Sequence, residues 1–355
     1  MIKKAEKQQL NKRQDYIITI LEKGNILSVG KLLEWVNKDV KLVSKITINR
    51  DLNKLLKIGL IVTQGEARTT VYSLSPHYKI IQSIDPEKYF QIKSDERSIK
   101  DRFDFSIFPV LKNIFTSEDQ EFLEELNKQY KVNLKGFSPA SLKQEYERLI
   151  IEFSWKSSEI EGNTYTLLET EALIKNKKVA SGHKAEEATM ILNHKVAFDY
   201  IRNNLNKFQK ISLREIENVH HLLTQGLEIK KGLRSTPVGI VGTKYKPLDN
   251  IHQIQEAVEK MVNVVNNETD LFSKTIIFMA LMAYIQPFED GNKRTSRLVG
   301  NAILMAHDSC PLSYRSVNEM EYKKAVILFY EQSNISYFKK LFIEQFQFAL
   351  KNYFC

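Results

Sequence analysis

Cysteine is nearly absent from this chain: Cys310 and Cys355 are the two in 355 residues. Two thiols make no disulfide framework and supply no zinc-ligand spacing. Long apolar runs are missing too. Ile276 to Ile285 is ten residues long, about half of the ~20 that a membrane span requires. Met1 to Lys7 lacks the apolar core of a signal peptide. Neither an internal repeat nor a low-complexity tract interrupts the chain. The expectation is a cytoplasmic protein with no membrane partner.

What is present fits a folded, soluble chain. Hydrophobic residues make up 43% and charged residues 27%, an ordinary globular balance. Nineteen Phe and fifteen Tyr argue against extensive disorder. The length allows two or three domains, each with its own core. Charge is unevenly spread. Residues 1–80 hold 15 Lys and Arg against 7 Asp and Glu, a surplus of eight, whereas the whole chain exceeds neutrality by nine. A basic N-terminal module on a neutral body points to an anionic partner for that module.

That module reads as three helices and a β-ribbon. Gln14 to Leu21 is amphipathic and Gly24-Asn25 stops it. Ser28 and Ser44 are N-caps for two more helices, the third carrying Ile48, Leu52, Leu55 and Leu56 on one stripe. Gly59 ends it. Leu60 to Thr63 and Thr69 to Leu74 are β-like, joined around Gly65-Glu66-Ala67-Arg68. The stretch Ser44 to Leu74 resembles the winged helix-turn-helix family. Off the apolar stripe of the third helix lie Lys45, Thr47, Asn49, Arg50, Asn53 and Lys54, a mix suited to phosphates and base edges. DNA is therefore the expected partner, with protein docking or dimerisation as the alternative use of such a module. Residues 81–104 are polar, contain Pro86, and read as a linker.

From Phe105 the pattern is mainly helical, and one stretch concentrates chemistry. Gln286-Pro287-Phe288-Glu289-Asp290-Gly291-Asn292-Lys293-Arg294-Thr295-Ser296-Arg297 follows the apolar run and precedes a helical pattern, Leu298 to Ala306. It reads as helix, tight loop, helix. A helix N-terminus exposes unpaired N–H groups and the positive end of the dipole. Arg294 and Arg297 fall on one face of its first turns. Two guanidinium forks beside an amide nest suit a polyphosphate, and Asp290 is a candidate ligand for its Mg²⁺. Composition alone also allows solvated arginines beside an ordinary capped turn.

The stretch resembles the signature of the Fic (Fido) family, H-x-F-x-[DE]-G-N-[GK]-R-x-x-R. Phe288, Asp290, Gly291, Asn292, Lys293, Arg294 and Arg297 match; Gln286 stands where the family has histidine. Two further stretches resemble family features. Ser157, Glu161 and Gly162 fit the inhibitory pattern [ST]-x-x-x-E-[GN] at the end of a helix spanning about 139–161. Gly232 to Thr243, with Val238, Gly239, Ile240, Val241 and Gly242 at its centre, looks like a β-hairpin and resembles the flap that holds the target segment by main-chain pairing. The fold implied is mainly α: an N-terminal winged helix followed, over residues 105–345, by an all-helical Fic domain with a β-hairpin flap.

The resemblance implies a protein adenylyltransferase. ATP with Mg²⁺ would lie on Gly291, Asn292, Lys293, Arg294 and Arg297, with Asp290 at the metal. The family's histidine takes the proton of a Ser, Thr or Tyr hydroxyl as it attacks the α-phosphate. Glu161 would pair with Arg297 and misplace the γ-phosphate. Tyr322 lies where the family often has an aromatic near the adenine, though by itself it reads as a core residue. The protein target is unidentified, and a homodimer is compatible with the sequence. Gln286 has no basic nitrogen to store the proton. It fits a natural ATP-binding pseudoenzyme, an enzyme whose base lies elsewhere, or an inactivating change in a working enzyme. None of the seven histidines lies in the signature.

Overall fold

The computed structural model describes residues 10–355 and divides into two units, one ending at Gln82 and one running from Ser83 to Cys355.

The first unit contains α1 (Lys12–Glu22), β1 (Leu27–Ser28), α2 (Val29–Asp39), α3 (Lys45–Lys57), β2 (Ile61–Gln64), β3 (Val71–Leu74) and α4 (Pro76–Ile81). Side-chain caps start its first three helices: Asn11 accepts from the amides of Arg13 and Gln14, Ser28 from Lys31, and Ser44 from Thr47. Gly59, at φ +74°, lets the chain leave α3 through the left-handed region. Ile17, Leu32, Val36, Ile48, Leu52 and Leu55 are fully buried at the centre. β3 lies between β1 and β2 in an antiparallel sheet, with Leu27 opposite Tyr72 and Ile61 opposite Leu74. The expected two-strand ribbon thus gains a third strand, two residues long and too short to show a period in sequence. Buried Asp51 ties α3 to the start of α1, accepting from Arg13 Nε at 2.7 Å and Gln14 Nε2 at 2.9 Å.

The second unit is helical: α5 (Pro86–Gln91), α6 (Ser117–Leu134), α7 (Pro139–Glu159), α8 (Leu167–Asn176), α9 (Ala185–Asn203), α10 (Leu213–Thr224), α11 (Ile251–Asn267), α12 (Leu271–Ile285), α13 (Asn292–Ala306), α14 (Glu319–Gln332) and α15 (Ser336–Tyr353). α12 is apolar on every side and buried from Thr275 to Ile285, which makes it the central helix. α13 packs along it closely enough that a Cβ at Gly300 would stand 2.9 Å from Met279 Cγ and Sδ. The signature loop is therefore a short turn between two buried helices.

Two expectations change here. Residues 81–104 are not a free linker. They carry α5, and Arg97, 6% exposed, donates through Nε to Glu331 Oε2 at 2.9 Å and through Nη2 to Gly242 O at 2.6 Å. Tyr89 OH and Gln332 add hydrogen bonds to the same cluster. The polar composition that suggested a linker is spent on a buried ion pair. The second change concerns residues 232–243, which form turns and extended coil without a strand ladder.

Glu331 is fully buried, so removing its partner strands a charge. Arg97→Ala should lower the unfolding free energy of the second unit by ~3–5 kcal/mol in urea titration. A loss below 1 kcal/mol would mean that this pair contributes little.

Candidate active site

The loop after α12 starts with a strained residue. Gln286 has φ +51° and ψ +59°, a left-handed conformation unusual for a side chain of this type. Its amide is engaged on both ends. Nε2 donates to Ala283 O at 2.6 Å and Tyr330 OH at 3.3 Å, while Oε1 accepts from Asn292 Nδ2 at 3.0 Å. Asn292 in turn closes the loop, accepting from Phe288 N at 2.9 Å and donating to Phe288 O at 2.8 Å. Gly291, at φ +79°, turns the chain into α13.

The two arginines are buried rather than solvated, which removes the ordinary reading of the motif. Arg294 is 1% exposed and Arg297 0%. Arg297 Nε donates to Ser157 Oγ at 2.9 Å, and its Nη2 to Ser157 O at 2.8 Å and Glu161 Oε1 at 2.9 Å. Lys293 Nζ reaches Glu161 Oε2 at 3.2 Å. The guanidinium of Arg297 also stands 5.2 Å from the ring centre of Tyr322, itself buried. The end of α7 and the start of α13 are thus brought together across more than 130 residues of sequence.

These cations set the charge of Glu161. Burial alone pushes its carboxyl up, but Arg297 and Lys293, with the Arg297 hydrogen bond, outweigh that and hold it down at about 2. The pairing is present above the ordinary value of 4.5 and is lost only as pH falls through about 2. Neutral pH does not open it.

Arg294 is only partly satisfied. Nη2 donates to Asp290 Oδ2 at 3.0 Å, but Nε and Nη1 have no hydrogen-bond partner among the described residues, nor does Nη1 of Arg297. Each buried N–H left unpaired costs about 1–3 kcal/mol. Three such donors near one helix N-terminus are an arrangement suited to an anionic acceptor. A Mg²⁺ carried by a polyphosphate fits less fully. Asp290 is the loop carboxylate next to Arg294, with a side chain 68% exposed and one oxygen on that guanidinium, whereas Glu289 pairs with Lys230. Its other oxygen is what the protein offers a cation, and among the described residues no cluster of three acidic, His or Cys ligands exists. That is enough for an ion held mainly by phosphates and water.

Of the histidines, His220 reaches the loop. Its ring stacks on Phe288 with centroids 3.7 Å apart, and Nε2 bonds Asp290 O at 2.9 Å. Burial lowers its pKa to about 4 despite that bond, so it is neutral at pH 7 and donates to the carbonyl. It braces the loop from behind. His194 is fully buried between Ser154 and Phe153, with burial and the two arginines keeping it neutral.

The segment compared with a flap carries Val238, Gly239, Ile240, Val241 and Gly242, with Val241 95% exposed. Together with Thr243 to Lys246 and with Arg97, Ser98, Ile99 and Asp101, Val238 to Ile240 line a cleft of about 660 Å³ that receives no residue from the signature loop. In α3 of the first unit, Lys45, Asn49, Arg50, Asn53 and Lys54 are exposed, while Thr47 is half-buried in the cap network of Ser44. Gly162 turns the chain out of α7 at φ +95°. Sequence reading missed Arg234, Tyr330 and His220. Only Arg234 left a trace, as a charge between Gly232-Leu233 and Pro237-Val238.

Fold and site define a helical protein with two buried arginines in the first turns of α13 and a carboxylate, Glu161, from just past the end of α7 on one of them. Residues 210–304 match the Fic/DOC family. Over 218 residues the chain is 30% identical to the protein adenylyltransferase Fic of Nematostella vectensis, covering 58% of this chain and 49% of that protein. The protein of that name from Culex quinquefasciatus is 27% identical over 190 residues, 52% and 37% of the two chains. The chain thus spans half or less of the length of these curated relatives. Among solved structures, Fic-1 from C. elegans superposes over 98% of this chain and 99% of its own, with a TM-score of 0.57 and 15% identity. A Fic-domain signalling protein from Bacteroides thetaiotaomicron covers 65% and 96%, with a TM-score of 0.54 and 19% identity. At those identities the likeness is one of fold. The segment that matches the Fic/DOC family, residues 210–304, lies within the second unit.

Proposed function

We propose that the second unit binds Mg·ATP at the N-terminus of α13 and is built to transfer AMP to a protein hydroxyl. The observation that carries this is the set of unpaired, buried guanidinium donors at Arg294 and Arg297. The relatives named protein adenylyltransferase support it. In this reading Gly291, Asn292 and Lys293 add amide and ammonium donors to the phosphates, and Asp290 holds the Mg²⁺. A Ser, Thr or Tyr oxygen attacks the α-phosphorus, the bond to the β-phosphate oxygen breaks, and pyrophosphate leaves. The hydroxyl proton needs an acceptor, and Gln286 provides none. Its amide is moreover committed to Ala283, Tyr330 and Asn292. The chain as written therefore binds nucleotide with weak or no transfer.

Glu161 acts as the brake. A guanidinium cannot fork onto a carboxylate and a phosphate at once. With Ser157 and Glu161 both on Arg297, the phosphate tail is kept from its donor until α7 moves.

The reaction class is tested with labelled ATP on the variant Glu161→Gly/Gln286→His. Label from the α-phosphate should enter protein and label from the γ-phosphate should not. Incorporation of the γ label would make this a kinase, and no incorporation of either would overturn the transfer reading.

A second reading has its own support. The exposed Lys45, Asn49, Arg50, Asn53 and Lys54 lie on one helix of a unit with a large positive surplus. We read this unit as a winged helix that binds DNA, making the protein a regulator whose Fic body senses nucleotide. A gel shift should give a complex that dissolves as salt rises, because phosphate contacts release counterions. Equal mobility with and without DNA at low salt would remove it.

A further inference from the structure

Arg234 is a buried guanidinium of the second unit that stands apart from Arg294 and Arg297 and uses all three of its nitrogens. It is 2% exposed and has no carboxylate partner among the described residues. Its donors all go to backbone carbonyls. Nε reaches Gln286 O at 2.6 Å, Nη1 reaches Thr236 O at 2.7 Å, and Nη2 reaches Leu248 O at 2.5 Å and Ile285 O at 3.5 Å. Its main-chain amide donates to Pro287 O at 2.9 Å.

The five acceptors sort into two groups. Ile285, Gln286 and Pro287 are consecutive carbonyls at the C-terminus of α12, where the helix leaves acceptors unpaired and the dipole is negative. A buried cation there is matched to its surroundings without an ion pair. Thr236 and Leu248 stand on either side of the exposed segment 238–242. One planar side chain therefore ties the backbone just before that segment, and the backbone six residues after it, to the backbone of residue 286.

We infer that Arg234 is a positioning residue that sets the register between the target-holding segment and position 286. This rests on the AMP-transfer reading, with residues 238–242 taken as the target-holding segment that the resemblance implies. In that reading a hydroxyl held by residues 238–242 must meet both the group at 286 and the α-phosphate. A misplacement of about 1 Å at such a junction costs about 10²-fold in rate. The phosphate site has a separate support: Arg294 and Arg297 make no contact with Arg234, and α13 is held by its packing on α12. Arg234 therefore governs target alignment and leaves nucleotide binding alone. Lysine replaces it only in part, because an ammonium on a flexible stem cannot span carbonyls on both sides in one plane.

The test uses Glu161→Gly/Gln286→His as parent, with Arg234→Lys and Arg234→Ala added. ATP affinity should be unchanged in both. Transfer to a protein target at saturating ATP should fall by about 10²-fold in Arg234→Ala and less in Arg234→Lys, and added guanidinium ion should restore part of the Arg234→Ala loss. Hydrogen exchange should quicken over 235–243 and 286–288 while α13 stays protected. Full transfer in both variants would overturn the inference, as would loss of ATP affinity in step with transfer together with exposure of α13, the pattern of general misfolding. Should the parent itself fail to label protein, the AMP-transfer reading is what fails. The exchange measurement on Arg234→Lys in the unaltered chain then decides the positioning role: faster exchange at 235–243 and 286–288 supports it, and unchanged exchange refutes it.

Discussion

In a Glu161→Gly background, Gln286→His should raise AMP transfer by about 10²–10⁴-fold, the usual worth of a general base. The site is otherwise prepared for an imidazole. The left-handed backbone at 286 is one that histidine adopts more readily than most side chains, and Arg234 holds the carbonyl of that residue whichever side chain it carries. Tyr330 OH, which now accepts from the glutamine amide, can accept a ring N–H in the same way and leave the other ring nitrogen free to take the proton. His220 does not fill the role in the present chain, being stacked on Phe288 and bonded to Asp290 O. The measurement is the initial rate of α-label incorporation in the two variants side by side. Equal rates would show that a base is supplied elsewhere and that position 286 does not limit the reaction.

The second large effect is on nucleotide binding. Removing the Glu161 carboxylate frees Nη2 of Arg297 and Lys293 for phosphate. A charge-assisted hydrogen bond is worth about 1.5–3 kcal/mol, so Glu161→Gly should tighten Mg·ATP binding roughly 10- to 100-fold. The same change leaves Arg297, fully buried, beside Ser157 and Tyr322 with no carboxylate on its guanidinium. The ligand-free variant should therefore melt lower than the parent, by the cost of an uncompensated buried charge. Saturating ATP should return the loss, since a ligand that binds only the native state stabilises it. Because Glu161 titrates at about 2, lowering pH from 8 to 5 should not mimic the substitution. If ATP affinity of the unaltered chain rose steeply over that range, another group would be holding the brake.

The parts legible in the sequence are those with local signals. Ser28 and Ser44 cap the helices expected of them, because a short polar side chain before an apolar stripe has one common use. The apolar run ending at Ile285 and the helix beginning near Asn292 are where periodicity put them. What was illegible depends on long separations. Arg97 and Glu331 lie 234 residues apart, and neither is distinguishable from a surface charge until the fold buries both. The hairpin expected at 232–243 fails for a related reason. Its alternation of small and β-branched residues suits a strand, but Thr236 O is drawn to the Arg234 guanidinium and Gly242 O to Arg97. Backbone acceptors spent on side chains leave no ladder to form. At the site, burial of Arg294 and Arg297 could not be read from spacing, and it is burial that makes their unpaired donors informative.

The central claim is that the start of α13 is a polyphosphate site with Glu161 lodged in it. Calorimetric titration of Mg·ATP into Glu161→Gly, and into Glu161→Gly/Arg297→Ala, tests it most directly. The account predicts clear one-to-one binding by the first and a loss of most of that affinity in the second. No binding by Glu161→Gly, or equal binding by both, would contradict it.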